Sequence, residues 1–157
     1  MLQNFNLNNK YMSKIIPSIW FTSVDGNIKG ILDYYKNVFN ENFMHEEIVP
    51  LGQTPSGNSE LCEVFIFGQK FSFLCTAIEH HSLNDAISFT INCEDQKEID
   101  NYWNYFTFEG KESMCGWCID KFGLRWQIVP DDLKELMTLP HAFDVMMSQK
   151  KIIIAEY

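Results

Sequence analysis

Residues 115–130 read CGWCIDKFGLRWQIVP. If this stretch opened a helix, Cys115 and Cys118 would form a redox-type pair with a lowered thiol pKa. Turn residues and strand alternation give another reading. Asp120 and Gly123 bracket a tight turn, and LRWQIVP follows as a strand, so the stretch is a β-hairpin. On the second strand Arg125, Gln127 and Val129 share one face, and Trp126 and Ile128 share the other. On the first, Cys115 shares a face with Trp117 and Cys118 shares the side of Trp126. Opposite faces disfavour both a disulfide and joint chelation of an ion. A bulge at Gly116 is the device that would bring the two thiols together.

The hairpin ends a pattern that occurs twice. IIPSIWFT reads as a strand, and DGNIKGILDYYKNVFN as a helix with Ile28, Ile31, Leu32, Tyr35, Val38 and Phe39 at helical spacing. Asp25 is the expected N-cap and Asn40 the expected stop. NFMHEEIV is a short strand, PLGQTPSGNSE a loop by its Pro, Gly and Ser content, and LCEVFIFGQKFSFLCTA a hairpin about Gly68-Gln69. Then AISFTINC reads as a strand and EDQKEIDNYWNYF as a helix carrying Ile99, Tyr102, Trp103 and Phe106. A shift of 68 residues lays Ile19-Trp20-Phe21-Thr22 on Ile87-Ser88-Phe89-Thr90, Ile31 on Ile99, and Tyr34-Tyr35 on Tyr102-Trp103. The order of elements repeats with the letters, so the chain is an internal repeat of β-α-β-β-β units. In the second unit Ile87, Phe89 and Ile91 are the expected helix-facing side of the strand.

The expected organisation is one α+β domain over residues 14–157. Its repeat units cover about 14–78 and 84–130, and a C-terminal helical tail covers 131–157, broken at Pro140. The polar, Asn-rich residues 1–13 read as a flexible extension, with Met12 as a second possible start. The formal charge of −9 excludes a nucleic-acid partner on electrostatic grounds, and no apolar run reaches membrane-spanning length. Five cysteines, an odd number, and no signal-like opening point to reduced thiols in the cytoplasm. Apolar residues of the tail, among them Met137, Phe143, Val145, Met146 and Ile152, are expected to pack on the domain or on a second subunit, and a homodimer is the expected assembly.

Paired β-α-β-β-β units resemble the vicinal oxygen chelate superfamily of glyoxalases, bleomycin-resistance proteins and extradiol dioxygenases. IPSIWF, ILDYYKNVF, AISFTINCEDQKEIDNYW and CGWCIDKFGLRWQIVP resemble more closely its PhnB-like branch, whose members often carry the label 3-demethylubiquinone methyltransferase-like. The resemblance spans residue 14 to about residue 155. It implies curved antiparallel sheets around a cavity, with the helices outside. Metal-using relatives hold a divalent ion with His, Gln or Glu from the first, fourth, fifth and eighth strands. The matching positions here are Pro17 or Ser18, then Phe71, Phe73 or Cys75, then Ala86, and Gln127. A lone neutral amide does not hold an ion, so no metal and no cofactor are expected. His45, His80, His81 and His141 fall outside these positions.

Methyl transfer on a Rossmann-type fold would need a Gly-rich turn after the first strand. The chain has no Gly-x-Gly, and its strands come in hairpins rather than alternating with helices. The residues that would line the implied cavity are Trp20, Cys75, Ser88, Thr90, Trp117, Arg125 and Gln127, with Trp117 opposite Gln127 if the hairpin closes in register. Aromatic walls with an amide and a guanidinium suit a planar aromatic or weakly anionic small molecule. The expected function is therefore metal-free binding of such a molecule. Packing of the two tryptophans as core, a solvated role for Arg125, and a lyase, isomerase or dioxygenase with a divergent site are the alternatives.

Overall fold

The computed structural model describes residues 14–157, and the extension expected over residues 1–13 lies outside them. The chain divides after Glu79 into two compact units. The first contains β1 (Ser18–Thr22), α1 (Lys29–Phe39), β2 (Phe43–His45), β3 (Val49–Thr54), β4 (Gly57–Ile66) and β5 (Gln69–Thr76). The second contains β6 (Phe89–Cys93), α2 (Gln96–Phe108), β7 (Lys111–Glu112), β8 (Trp117–Ile119), β9 (Arg125–Pro130), and the short helices α3 (Leu133–Leu136) and α4 (Ala142–Ser148). The α+β class and the repeat are present in the topology. The strand orders β1-β5-β4-β2 and β6-β9-β8-β7 are the same, with β3 as an extra partner of β4.

Both sheets are mixed rather than purely antiparallel. The first strand of each unit runs parallel to the last, β1 to β5 and β6 to β9, and the other pairs are antiparallel. The helix between them is the crossover that a parallel pair requires. The expected loop PLGQTPSGNSE is instead strand: β3 and the start of β4 are antiparallel over Val49–Leu61, with a bulge between Pro50 and Gly52. β2 pairs with the other end of β4, so β2 and β3 act as one interrupted edge strand. The hairpin turn between β4 and β5 falls at Phe67-Gly68, one residue earlier than expected. Both residues have positive φ, 50° and 77°, as a type I′ turn requires.

In each unit the helix covers one face of its own sheet. Ile31, Leu32, Tyr35 and Phe39 of α1 are buried with Phe21, Val64 and Phe73. The Phe21 and Phe73 rings meet edge-on at 5.0 Å, and Tyr35 joins Phe73 at 5.7 Å. In the second unit Ile99, Tyr102, Trp103 and Phe106 are buried with Ile91, Cys118, Trp126 and Ile128. Phe106 stacks on Trp126 with centroids 4.9 Å apart. Aromatic pairs of this kind add about 0.5–1.5 kcal/mol beyond their buried area. Ile87 departs from the expected pattern: it precedes β6 and is 69% exposed, so the helix-facing side begins at Phe89.

The helix ends are built differently from each other. Asp95 caps α2, its carboxylate accepting the Glu98 N–H at 2.8 Å, and the Glu98 carboxylate accepts the Glu94 N–H at 2.7 Å. Asp25 does not cap α1. Its carboxylate accepts the Asn27 N–H, and Glu60 on β4 accepts the Ile28 N–H at 2.8 Å. Asn40 ends α1 with φ of 48°, as expected of a stop residue. After α4 the chain is tied back to α2. The Gln96 amide donates to the Ile152 carbonyl at 3.0 Å and accepts the Ile154 N–H at 2.9 Å, and Ile152 is fully buried. Phe143 stays 62% exposed. No helix among the described residues is long and apolar enough to cross a membrane.

Candidate functional site

The face of the second sheet turned away from α2 carries the closest grouping of the expected residues. Trp117 is paired with Gln127 across β8 and β9, and Thr90 with Gln127 across β6 and β9. Indole, amide and hydroxyl thus form a row across three adjacent strands. Residues in register on neighbouring strands have Cβ atoms within about 5.5 Å, so a single small molecule can touch all three. The Gln127 amide donates to the Ser88 hydroxyl at 2.8 Å. That bond fixes the amide and leaves its carbonyl oxygen as an acceptor.

The turn that sets this register depends on the side chain of Asp120, which sequence reading took only as a turn marker. That side chain is buried. One carboxylate oxygen accepts the N–H groups of Phe122 at 2.9 Å and Leu124 at 3.0 Å, and the other accepts the Trp126 indole N–H at 2.9 Å. The Gly123 N–H closes the turn on the Asp120 carbonyl at 2.9 Å, with Gly123 at φ of 86°. An Asp three residues before a Gly was the available signal. It marked the turn, and the buried indole as third donor was visible only in three dimensions.

Arg125 is on the same strand as Gln127 and is committed elsewhere. Its Nε donates to the Asp85 carboxylate at 2.7 Å, and its Nη1 donates to the carbonyls of Leu83 at 2.8 Å and Gly123 at 2.5 Å. The guanidinium therefore binds the segment before β6 to the β8–β9 turn. In the first unit Trp20 stands with Ser18 and Thr22 on the face of β1 away from α1, 42% exposed, and its indole donates to the Thr76 hydroxyl at 2.8 Å. Cys75 does not share that face. It is paired with Phe21 on the helix side, is fully buried, and its thiol donates to the Ser23 hydroxyl at 3.4 Å. Burial pushes that thiol's pKa up, so it serves as core.

The cysteines of CGWC are separated as expected, by a different geometry. Cys115 is not on the strand: φ is 57° there and 79° at Gly116, and the Trp117 N–H bonds the Met114 carbonyl at 3.0 Å. These residues make a type I′ turn before β8. The Cys115 thiol faces Met147 of α4, not the side of Trp117. Cys118 is fully buried on the helix side, and burial, then the charge of Asp120, pushes its thiol up to about 12. A thiol held protonated in this way does not act as a redox nucleophile. All five cysteines are free.

The positions that would hold a divalent ion do not fit one. Phe71, Phe73 and Cys75 are buried on the helix side, Ala86 is apolar, and the Gln127 amide is bonded to Ser88. Among the described residues no three His, Cys, Asp or Glu side chains converge as a metal group. A nucleoside methyl donor is no better matched. Neither sheet alternates strand and helix throughout, and neither the turn after β1 nor that after β6 carries a Gly-x-Gly.

Mixed sheets of this order, one crossover helix between the first strand and the rest of each sheet, and the repeat define a protein of the glyoxalase, or vicinal oxygen chelate, fold class. Within that class the chain belongs to the family described as 3-demethylubiquinone-9 3-methyltransferase, whose model matches residues 13–129. Solved structures agree on the fold. The PhnB protein of Bacillus cereus superposes with a TM-score of 0.61 at 22% identity, over 74% of this chain and 99% of that one. A Pseudomonas aeruginosa protein gives 0.57 at 16% identity, over 76% and 98%. FosX, a fosfomycin resistance protein of Listeria monocytogenes, gives 0.51 at 16% identity, over 80% and 95%. No curated protein matches the chain.

Proposed function

We propose that the chain is a small-molecule binding protein that takes a planar aromatic or weakly anionic molecule without a divalent ion. The observation that carries this is the register of Trp117, Gln127 and Thr90 across three strands. The indole offers a flat apolar wall. The Ser88-anchored amide offers an acceptor, and the Thr90 hydroxyl offers either role. Arg125 is engaged by Asp85 and Leu83, so an anionic group would be met by a neutral donor such as the Thr90 hydroxyl, which favours weak over full charge. One neighbour in fold is a fosfomycin resistance protein. Sequestration of a toxic small molecule is a role that needs neither catalytic carboxylates nor a metal. In this proposal the protein is a cytoplasmic homodimer that contacts neither nucleic acid nor membrane. The charge of −9 supports the absence of nucleic acid, and light scattering with cell fractionation tests the rest.

A thermal-shift screen against aromatic, quinone and antibiotic compounds tests binding. A ligand at about 100 times its Kd stabilises by about 2.7 kcal/mol, a shift of several degrees. A compound that raises the melting temperature of the parent and not that of Trp117→Ala supports the proposal. Failure of every compound class to stabilise the parent overturns it.

A further inference from the structure

The turn that leads into Trp117 is held by a distant part of the chain. Cys115 is not a glycine and has φ of 57°, a conformation that persists only where the surrounding structure holds it. Its N–H donates to the Gln149 carbonyl at 2.8 Å, and the Gly116 N–H donates to the Lys150 carbonyl at 2.7 Å. The Gly116 carbonyl accepts the Ile128 N–H of β9 at 2.8 Å. Gly116 is thus fixed between β9 and the C-terminal segment. It is buried, and a Cβ there would stand 2.7 Å from the Ile128 carbonyl oxygen and 3.2 Å from Cγ1 of Ile152. Ile152 therefore lies directly against Gly116. Trp117 is the next residue, so its place opposite Gln127 depends on where this turn is held.

The holding segment is itself clasped at two points. The buried Gln149 amide donates to the Ile153 carbonyl at 3.3 Å and to the Glu156 carboxylate at 2.7 Å, and accepts the Ile153 N–H at 3.1 Å. From α2, Gln96 donates to the Ile152 carbonyl at 3.0 Å and accepts the Ile154 N–H at 2.9 Å. The ion pairs Lys150–Glu112 at 3.0 Å and Lys151–Asp100 at 2.6 Å are partly exposed and add little. Within residues 150–157 only Ile152 is buried, so a few polar bonds fasten the segment rather than a core. Segments of this kind open locally at lower free energy than the whole fold. We propose that residues 149–157 are a strap that positions Trp117 for its ligand, with Gln96 and Gln149 as the positioning residues. The proposal rests on the reading that Trp117 belongs to the binding row. Gln96 bonds none of residues 115–117 and acts on that row through the strap. When the strap is released, the buried Gly116 N–H loses its acceptor and the turn at Cys115 relaxes.

The test uses the full chain without ligand, as parent, Gln96→Met and Gln149→Met, with melting curves as the folding control. Amide hydrogen exchange is read at Cys115, Gly116 and Leu124. Fluorine NMR of 5-fluorotryptophan-labelled protein reads Trp117, assigned as the resonance missing from Trp117→Phe. Each variant is expected to exchange the Cys115 and Gly116 amides about tenfold or more faster than the parent, to keep the Leu124 rate, and to move the Trp117 resonance while leaving that of Trp20. Should Gln149→Met fail to fold, Gln96→Met decides alone, since its position is partly exposed. Unchanged exchange at Cys115 and Gly116, an unmoved Trp117 resonance, or equal acceleration at Leu124 would overturn the strap. The readout needs no ligand, so its failure leaves the binding reading standing, and a failed compound screen leaves the positioning of Trp117 standing.

Discussion

Asp120→Asn separates the two functions of the buried carboxylate. One oxygen takes the Phe122 and Leu124 N–H groups, and the other takes the Trp126 indole N–H. Asparagine can keep the first oxygen. In place of the second it then puts an amide N–H against the indole N–H at a contact of 2.9 Å. Flipping the amide only moves the conflict onto the two backbone donors. The substitution loses a hydrogen bond to a charged acceptor, about 1.5–3 kcal/mol, and leaves a buried donor without an acceptor, about 1–3 kcal/mol. A loss of about 3 kcal/mol is expected by urea denaturation, read as a lower midpoint at unchanged slope. A double-mutant cycle isolates the cause. Trp126→Phe removes the indole N–H while keeping a ring against Phe106, so it should cost about 1–3 kcal/mol less in the Asp120→Asn background than in the parent. Additivity within about 0.5 kcal/mol, or an Asp120→Asn variant as stable as the parent, would refute the reasoning.

Arg125 and Asp85 form an ion pair with unequal shares, since the side chains are 15% and 78% exposed. Asp85→Ala is expected to change stability by less than about 0.5 kcal/mol. Arg125→Met should cost about 1–3 kcal/mol and speed proteolysis within residues 80–88, because the carbonyls of Leu83 and Gly123 lose their donor. Equal effects of the two substitutions would place the energy in the ion pair instead. Burial pushes the Cys93 and Cys118 thiols from 9.0 up to about 12. The unfolded chain therefore releases these protons first, so the stability present below about pH 9 declines as pH rises from there towards 12. Melting temperatures should fall between about pH 8.5 and about pH 10.5 by more in the parent than in Cys93→Ala.

Much of the fold was legible because its strongest signals are local. Asp120 and Gly123 marked a turn that places Trp117 opposite Gln127, and the 68-residue shift put Ile31 on Ile99 and Tyr35 on Trp103, all four buried. β3 was not legible. Val49–Thr54 is largely exposed, contains Pro50 and Gly52, and becomes strand through its pairing with β4. Cys75 was misplaced although the parity was present, since Phe71, Phe73 and Cys75 stand two residues apart on one face. Cys115, read as lying on or just before the strand and on the side of Trp117, was turned the wrong way because a non-glycine residue with positive φ is rare, and the Gln149 and Lys150 carbonyls that hold Cys115 and Gly116 lie more than thirty residues away. Arg125 was read as a ligand group or a solvated charge, and two of its acceptors, Asp85 and the Leu83 carbonyl, belong to a segment some forty residues earlier.

Native mass spectrometry of the purified parent beside Trp117→Ala tests the central claim most directly, by weighing whatever small molecule co-purifies. A bound aromatic or weakly anionic molecule, with no divalent ion, is expected on the parent and its loss from the variant. The same molecule retained by Trp117→Ala, or a stoichiometric divalent metal on the parent, would contradict it.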